Sequence, residues 1–481
     1  MSTPIKSVPV HLKATSGPRW LGRITAVVLI GCLYTALHRL LDIAPKLKLP
    51  SGFPIRIPVP VALQHNWGAY RPWFVVAAYR PPPVDCSIVQ VNILQRHGAR
   101  FPTKGAQAGM LTALNKLQST QTYSHPTLSF LKGYVYDLGT DDLVYFGAEQ
   151  AKYTGKETFS RYPKLVSQDN LPFVRASGSR RVIDSATNWT LGFAQASEYL
   201  YQPKLNVILD ESKNCTLDNK QCLNAGDADF AVDEWISRYA YPIAQRLNAL
   251  APGSNLTAAD IYGLMLICPF ESIAHISHSP FCSLFSLDEF ASFEYASDLD
   301  KYYGTGYGQP LGRVQGVGYI NELLARLSGT AVRDHTQTNS TLDGDRRTFP
   351  LDRNIYVDFS HDNEMIAIYA ALGLFPQYEV LDPAKRDEGR TWIASRMVPF
   401  GARMTVEKLV CDVVEKGQVE FVRIFVNDEI QPLGFCGADE EDRMCELGAF
   451  VESQAYARHD GEGDWEACFD EKPELAGAVL W

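Results

Sequence analysis

Residues 87–100 read SIVQVNILQRHGAR, a largely apolar run that passes directly into a basic cluster around a histidine. A short apolar run rich in valine and isoleucine predicts a buried strand over 87–94. The guanidinium groups of Arg96 and Arg100 then flank His97, and Gly98 lets the backbone approach a ligand closely. The segment therefore predicts a strand whose carboxyl end carries a cationic site.

Two later segments repeat this order of strand, polar cluster and helix. A strand over 171–174 precedes Arg175, and a strand over 355–359 precedes His361 and Asp362. Each cluster is followed by apolar residues with helical spacing. Ligands of open α/β sheets lie at the carboxyl ends of the strands, so we expect the three clusters to converge on one site.

The rest of the chain divides into a sheet domain and a helical insertion. A further strand, over 420–426, carries no polar cluster, and residues 190–327 are mostly helical and rich in loops. The predicted fold class is α/β, with a catalytic sheet domain formed by 66–189 and 328–481. A smaller α-helical domain, 190–327, is inserted into it.

The first cluster has the chemistry that phosphoryl transfer requires. Arginine forks match phosphate oxygens and stay charged at any usable pH. The charges of Arg96 and Arg100 favour the neutral form of His97, which suits attack on phosphorus and a phosphohistidine intermediate. The alternative is a charged loop with a surface histidine, but the arginines, Gly98 and the strand end together favour the catalytic interpretation.

The other two clusters supply the remaining groups. Asp362, at the start of a helix, is a candidate general acid for the leaving alkoxide; the alternative is a helix N-cap. His361 is expected to donate a hydrogen bond to the phosphate. Arg175 is expected to complete the cationic cradle, unless it belongs to a surface ion pair. Arg180 and Arg181 are predicted to form salt bridges.

Composition excludes one class of partner. The chain has 481 residues, of which 46% are hydrophobic, and a formal net charge of −10. The apolar content is sufficient for a large core, whereas the acidic balance argues against nucleic-acid binding. The sequence contains neither a Walker loop nor a dinucleotide glycine fingerprint. An anionic substrate therefore requires a locally basic site.

The N-terminal region predicts export. A polar tail, 1–23, precedes a signal anchor or signal peptide, 24–44, whose first fourteen residues carry no charge, and a proline-rich stalk follows over 45–65. The long polar tail favours an uncleaved, single-pass anchor with its N-terminus in the cytosol. A cleaved signal and a secreted protein are the alternative. Either places the catalytic domain in the lumen or outside the cell.

Cysteines and sequons agree with export. Nine of the ten cysteines lie beyond the apolar run, and in an exported body they predict disulfides with one thiol left over. Cys268, His275, His278 and Cys282 offer a zinc site as the alternative, but a Cys268–Cys282 disulfide is favoured. Glycosylation sequons begin at Asn188, Asn214, Asn255 and Asn339.

The motif R-H-G-A-R-F-P at 96–102 and the distal pair His361-Asp362 resemble the histidine acid phosphatases. Further stretches resemble the fungal phytase branch of that family. They are WGAY at 67–70, RHGARFPT at 96–103, FVRASGS at 173–179, SPFCSLF at 279–285, KYYG at 301–304, QGVGY at 315–319, DFSHDN at 358–363 and VPFGAR at 398–403. The resemblance covers 66–469.

The resemblance implies a phosphoglycerate-mutase-like α/β sheet domain with an inserted α domain, and an active site between them. It implies that His97 is the nucleophile and Asp362 the proton donor, with no metal or other cofactor. The implied substrate contacts are Arg96, Arg100, Thr103, Arg175, His361, Lys301 and Tyr70. The implied disulfides are Cys86–Cys411, Cys222–Cys468, Cys268–Cys282 and Cys436–Cys445. Cys215 is then the odd thiol, at a position where the family commonly has asparagine.

The expected function is metal-independent hydrolysis of a small-molecule phosphate ester, with phytate as substrate at acidic pH. Lys301 is expected to meet a remote phosphate group. Ala69 and Arg71 depart from the glutamine and serine that phytases often have, and Arg71 is expected to add charge at the substrate entrance. The alternatives are a broad-specificity acid phosphatase, an inactive membrane-tethered binding protein of the same fold, and a zinc module.

Overall fold

The computed structural model describes residues 53 and 55–470. In this part of the chain the strands are β1 Cys86–Arg96, β2 Phe173–Ser177, β3 Leu205–Leu209, β4 Ile355–Ser360, β5 Arg403–Val413, β6 Gly417–Val426, β7 Glu429–Ile430 and β8 Cys445–Glu446. The α-helices are α1 Val61–Gln64, α2 Lys104–Gln118, α3 Tyr145–Arg161, α4 Arg180–Ala196, α5 Asp229–Leu250, α6 Ala258–His275, α7 Leu287–Gly304, α8 Val317–Ser328, α9 Ser340–Asp343, α10 Asp362–Leu372, α11 Ala394–Met397, α12 Leu447–Ser453, α13 Ala455–Arg458 and α14 Asp464–Ala467.

The strands form one mixed sheet in the order β3-β2-β4-β1-β5-β6-β7, with β8 paired to β6. The four strands from β3 to β1 run parallel, and β5 and β6 are antiparallel to their neighbours. The carboxyl ends of β1, β2 and β4 therefore meet at the same edge. The prediction that three polar clusters follow neighbouring parallel strands agrees with this topology.

Helices cover both faces of the sheet. On one face α4 packs its Val182, Ala186, Trp189 and Phe193 against strand residues such as Val91 and Val357. On the other face a larger core joins the sheet to the helices of the chain's middle third. These helices, α5 to α8, lie in the segment that was predicted to be mostly helical.

Two predicted boundaries were wrong. The segment 190–327 includes β3, which pairs with β2 in the main sheet, so the helical insertion begins only after Leu209. The described part of the proline-rich stalk is not a free spacer, because Ile57 and Val59 lie in the core and Gln64 donates a side-chain hydrogen bond to the Val59 carbonyl. Apolar residues alternating with prolines supply this packing.

Candidate active site

His97 directly follows β1, and backbone hydrogen bonds join it to residues at or near the ends of both neighbouring strands, β4 and β5. Its N–H donates to the Ser360 carbonyl at 3.1 Å, and its carbonyl accepts from the Gly401 N–H at 3.0 Å. Gly98 is required by a close backbone contact rather than by a ligand: a Cβ there would lie 2.3 Å from the Gly147 carbonyl oxygen of α3. Gly98 therefore lets the loop after β1 pack closely against α3.

The imidazole of His97 has one defined free nitrogen. Nδ1 lies 2.8 Å from the Gly98 carbonyl oxygen. A carbonyl only accepts hydrogen bonds, so the proton sits on Nδ1 and the Nε2 lone pair remains available. Burial lowers the pKa of His97 well below its usual value, and the charges of Arg96, Arg100 and Arg181 lower it further. The ring is therefore neutral, and its Nε2 carries the lone pair that a nucleophile requires.

Arg96 and Arg100 are largely buried, and both lie close enough to His97 for their charges to lower its pKa. Arg96 Nη1 donates to the carbonyls of Ala69 and Val398, and its Nη2 lies 3.1 Å from Asp362 Oδ2. The Arg100 Nη1 donates to its neighbour's carbonyl at 2.8 Å, and its Nε has no partner among the described residues. A buried guanidinium with a free N–H is suited to receive an anion.

Asp362 is the first residue of α10, whose N-cap is His361, so Asp362 is not itself the cap. Its Oδ2 lies 2.9 Å from Lys301 Nζ as well as 3.1 Å from Arg96. Burial alone would raise the pKa of Asp362, but the charges of Arg96 and Lys301 outweigh it and hold that pKa well below its usual range. Asp362 is therefore ionised beside these two cations, and the negative charge of a bound phosphate would favour its protonation.

Lys301 is buried and held by acidic and amide oxygens. Its Nζ contacts Asp300 Oδ2 at 2.9 Å and Asn363 Oδ1 at 2.7 Å, besides Asp362. The prediction that Lys301 lies near the site agrees with this geometry. No feature of the sequence singled out Asp300. Its half-exposed carboxylate neutralises the charge of Lys301 on the side nearer to solvent.

His361 lies beside His97, with ring centroids 5.6 Å apart. Its Nε2 lies 3.0 Å from Glu211 Oε1 and 3.1 Å from Ser177 Oγ. Its Nδ1 lies 3.3 Å from Arg181 Nη2. Both ring nitrogens therefore have protein partners.

The third cation of the site is Arg181, not Arg175 as predicted. Arg175 is 1% exposed, and its guanidinium is consumed by Asp358 (Nε to Oδ1, 2.7 Å) and Glu322 (Nη1 to Oε1, 2.9 Å). A side chain in the middle of a strand points into a core layer, whereas Arg181 is the second residue of the helix that starts at the strand's end. A helix N-terminus after a β-strand is suited to binding anions, so the prediction that Arg181 forms a salt bridge was wrong: its Nη2 faces His361 Nδ1. Arg180 is 79% exposed and pairs with acidic neighbours, as predicted.

Three further residues that the sequence analysis placed near the substrate are Tyr70, Thr103 and Arg71, and their surroundings differ. Tyr70 packs against Phe270 and Phe400, which also lie beneath the arginines. Thr103 accepts a hydrogen bond from the Ala106 N–H and so caps α2. Arg71 is buried with its guanidinium 3.3 Å from the Phe74 ring centroid, so the expected charge at the substrate entrance is absent from that position.

The structure contains the four disulfides that the resemblance implied, Cys86–Cys411, Cys222–Cys468, Cys268–Cys282 and Cys436–Cys445. The zinc alternative was wrong, because two of its four ligands are joined to each other. Cys215 is the free thiol of the described residues, and it is buried.

The arrangement is a neutral histidine among three guanidinium groups, with a carboxyl group one residue into a neighbouring helix. The family model of the histidine phosphatase superfamily (branch 2) matches residues 87–427. The chain belongs to this superfamily.

Phytase A of Arthroderma benhamiae is 39% identical over 425 residues, which cover 84% of this chain and 91% of that protein. Phytase A of Aspergillus fumigatus is 39% identical over 434 residues, covering 85% and 91%.

Solved structures of this histidine phosphatase fold are similar as well. The phytase of D. castellii has a TM-score of 0.68 at 22% identity, over 82% of this chain and 85% of that one. The Bifidobacterium longum multiple inositol polyphosphate phosphatase, crystallised with phosphate, has a TM-score of 0.64 at 13% identity, over 82% and 98%. At these identities the likeness supports the fold.

The predicted tail, 1–23, the signal segment, 24–44, and the first part of the stalk lie outside the described residues. Among the described helices, none has the length and apolarity needed to cross a membrane. Of the four sequon asparagines, Asn214 and Asn255 are exposed, whereas Asn188 and Asn339 are half-buried.

Proposed function

We propose that the protein is a phosphomonoesterase that transfers a phosphoryl group from phytate to His97 Nε2 and then to water. The observation that carries the proposal is the free Nε2 of a neutral, buried histidine surrounded by Arg96, Arg100 and Arg181. A nucleophile that stays unprotonated in acid, next to cations that match phosphate oxygens, fits attack on a phosphate monoester.

The proposed reaction has two steps. In the first, Nε2 forms a bond to phosphorus as the bond from phosphorus to the ester oxygen breaks, and protonated Asp362 gives its proton to the departing alkoxide. In the second, the oxygen of a water molecule forms a bond to phosphorus as the bond from phosphorus to Nε2 breaks, a proton of the water passes to Asp362, and inorganic phosphate leaves. The arginines neutralise the charge on the transferred oxygens throughout.

Phytate as the substrate is supported by the relatives, whose names are Phytase A. A second candidate, a broad-specificity phosphomonoesterase, is supported by one observation at Lys301. That lysine is shared between Asp300 and Asp362, and Arg71 is buried. Few cations are then free to meet the remote phosphates of a polyanion.

The experiment compares His97→Ala and Asp362→Asn with wild type on phytate and on p-nitrophenyl phosphate. We expect His97→Ala to lose turnover of both, and rapid quenching of wild type to trap an acid-labile phosphoenzyme that His97→Ala does not form. Asp362→Asn should slow phytate more than the aryl ester, because a good leaving group departs without a proton. A phosphoenzyme formed by His97→Ala, or equal slowing of both substrates by Asp362→Asn, contradicts the assigned roles.

We also propose that the protein enters the secretory pathway and is glycosylated. Four disulfides favour an oxidising compartment, and the predicted leader supplies the route. Mass mapping of the protein from its native source is expected to find glycans first at the exposed Asn214 and Asn255. Unmodified asparagines together with reduced cysteines would overturn this proposal. The same map decides between an anchored protein, which retains 24–44, and a secreted one.

A further inference from the structure

Glu211 is a carboxylate that reaches the active site from the next strand. It lies two residues beyond β3, and its side chain is mostly buried. Oε1 accepts from the Ser179 N–H at 2.8 Å and lies 3.0 Å from His361 Nε2. Oε2 accepts from the Ser179 hydroxyl at 2.9 Å and from Lys220 Nζ at 3.2 Å. Both oxygens are thus fixed before any substrate binds.

The contact with Glu211 determines where the proton of His361 lies. Burial alone would raise the pKa of Glu211, but its hydrogen bonds with His361 and Ser179 outweigh burial and lower it. An ionised carboxylate only accepts, so Nε2 of His361 carries a proton and donates it to Oε1. In neutral His361 the other nitrogen, Nδ1, is then an acceptor.

Arg181 is the donor that faces this acceptor. Its Nη2 lies 3.3 Å from His361 Nδ1, and a guanidinium can only donate. Glu211, His361 and Arg181 therefore form a continuous chain in which each donor faces an acceptor. With the opposite tautomer of His361, an N–H group would face the N–H of Arg181.

Glu211 also holds the backbone from which Arg181 extends. Ser179 is the N-cap of α4, and its hydroxyl makes no capping bond to its own helix. Both of its polar groups bond to Glu211 instead. Arg181 follows two residues later, so Glu211 restrains it from the helix start and from the tip of its side chain.

We infer that Glu211 is a positioning residue, which orients Arg181 towards the phosphate through His361 and Ser179 without touching the substrate. The inference rests on the proposed function and extends it, because it assigns His361 to holding Arg181 in the empty site. A misplaced cation costs catalysis out of proportion to the displacement, so loss of Glu211 is expected to resemble loss of Arg181.

The test is a double-mutant cycle with Glu211→Ala, Arg181→Ala and the double variant, assayed on p-nitrophenyl phosphate. We expect Glu211→Ala to lower kcat/KM by about ten- to a hundredfold and to raise the inhibition constant of inorganic phosphate. Because Glu211 acts through Arg181, the double variant should be little worse than Arg181→Ala alone. Asp210→Ala, which removes an exposed carboxylate from the same turn, should match wild type.

Thermal unfolding separates a folding defect from a positioning defect. If Glu211→Ala does not fold, Glu211→Gln keeps the shape and one acceptor oxygen and enters the same cycle, with a smaller single effect and the same non-additivity expected. Losses that multiply, or a normal inhibition constant for phosphate in the Glu211 variant, overturn the inference. A wild type that hydrolyses neither ester fails the proposed function instead, so the two failures are distinguishable.

Discussion

Asp300 is the residue whose charge bears most directly on substrate choice. Its Oδ2 lies 2.9 Å from Lys301 Nζ, and its side chain is about half exposed. A polyanion that approaches Lys301 meets this carboxylate first. The opposite charges of Asp300 and Lys301 cancel at a distance, which weakens the attraction of Lys301 for a polyanion.

We therefore expect Asp300→Asn to raise kcat/KM for phytate relative to p-nitrophenyl phosphate. A unit charge about 4 Å from another contributes about 1 kcal/mol in water-like surroundings, so the gain should be about fivefold. Added salt should narrow it, since the site is partly exposed. Steady-state kinetics on both esters at two ionic strengths measure the effect.

Asp288→Asn is the matched control, because it removes an exposed aspartate from the start of the same helix. It lies about 18 Å away along the helix axis and should leave both substrates unchanged. An equal gain in the two variants would mean that net charge, not the contact with Lys301, determines substrate choice.

At the level of secondary structure, Arg175 and Arg181 show what the sequence could and could not predict. The strand–cluster–helix pattern gave three sheet strands and the edge where their clusters meet, because apolar runs and polar ends have local causes. It did not distinguish an arginine inside β2 from one at the start of α4. That distinction depends on Asp358 and Glu322, which reach Arg175 from other elements. Strands β3 and β5 were also missed; β3 pairs with β2, and β5 pairs both with the distant β1 and with the adjacent β6.

The buried ion pairs of Arg175 predict that replacing this residue lowers the free energy of unfolding and changes kcat little. Arg175→Met leaves Asp358 and Glu322 buried with one cation fewer, and Arg326, 2.6 Å from Asp358, as the remaining one. Breaking a fully buried ion pair costs about 3–5 kcal/mol. Denaturant unfolding should show this loss, while kcat of the folded fraction stays within a few-fold of wild type.

Arg180→Ala is the control for that experiment, because Arg180 is a nearby arginine at the start of α4 that is exposed. It should change neither stability nor rate measurably. A large fall in kcat for Arg175→Met, with stability unchanged, would restore Arg175 as a phosphate ligand and contradict the assignment of Arg181.

For the whole molecule, buried acids determine how stability varies with pH. Glu364 of α10 is fully buried, and neither carboxyl oxygen has a hydrogen-bond partner among the described residues. Burial raises the pKa of Glu364 well above its usual value, and the charges of Asp218 and Glu322 raise it further. Burial likewise raises the pKa of Asp343 to about 8, with Glu322 adding to the effect. The folded state therefore keeps protons that the unfolded chain gives up.

The sign of the effect follows from this difference in bound protons. Below pH 4 both states hold the proton of Glu364, so the group costs nothing. As the pH rises above the unfolded pKa, the unfolded chain releases its proton while the folded state keeps it. The free energy of unfolding then falls by about 1.4 kcal/mol per pH unit for each such group until its folded pKa is reached. These two groups therefore favour the folded state most in acid, where the proposed chemistry with a neutral His97 also operates.

Glu364→Gln removes this penalty while keeping the volume of the side chain. We expect its unfolding free energy to equal that of wild type near pH 4, apart from a small constant offset for the buried amide. It should exceed wild type by more than 1 kcal/mol near pH 7, with the difference growing between these values. Urea unfolding at four or five pH values measures the slope, and Glu440→Gln, at an exposed loop position, should run parallel to wild type. If the free energy of unfolding of Glu364→Gln changes with pH in the same way as that of wild type, the carboxyl group of Glu364 is ionised in the folded state. A cation or a water molecule must then contact it within the core.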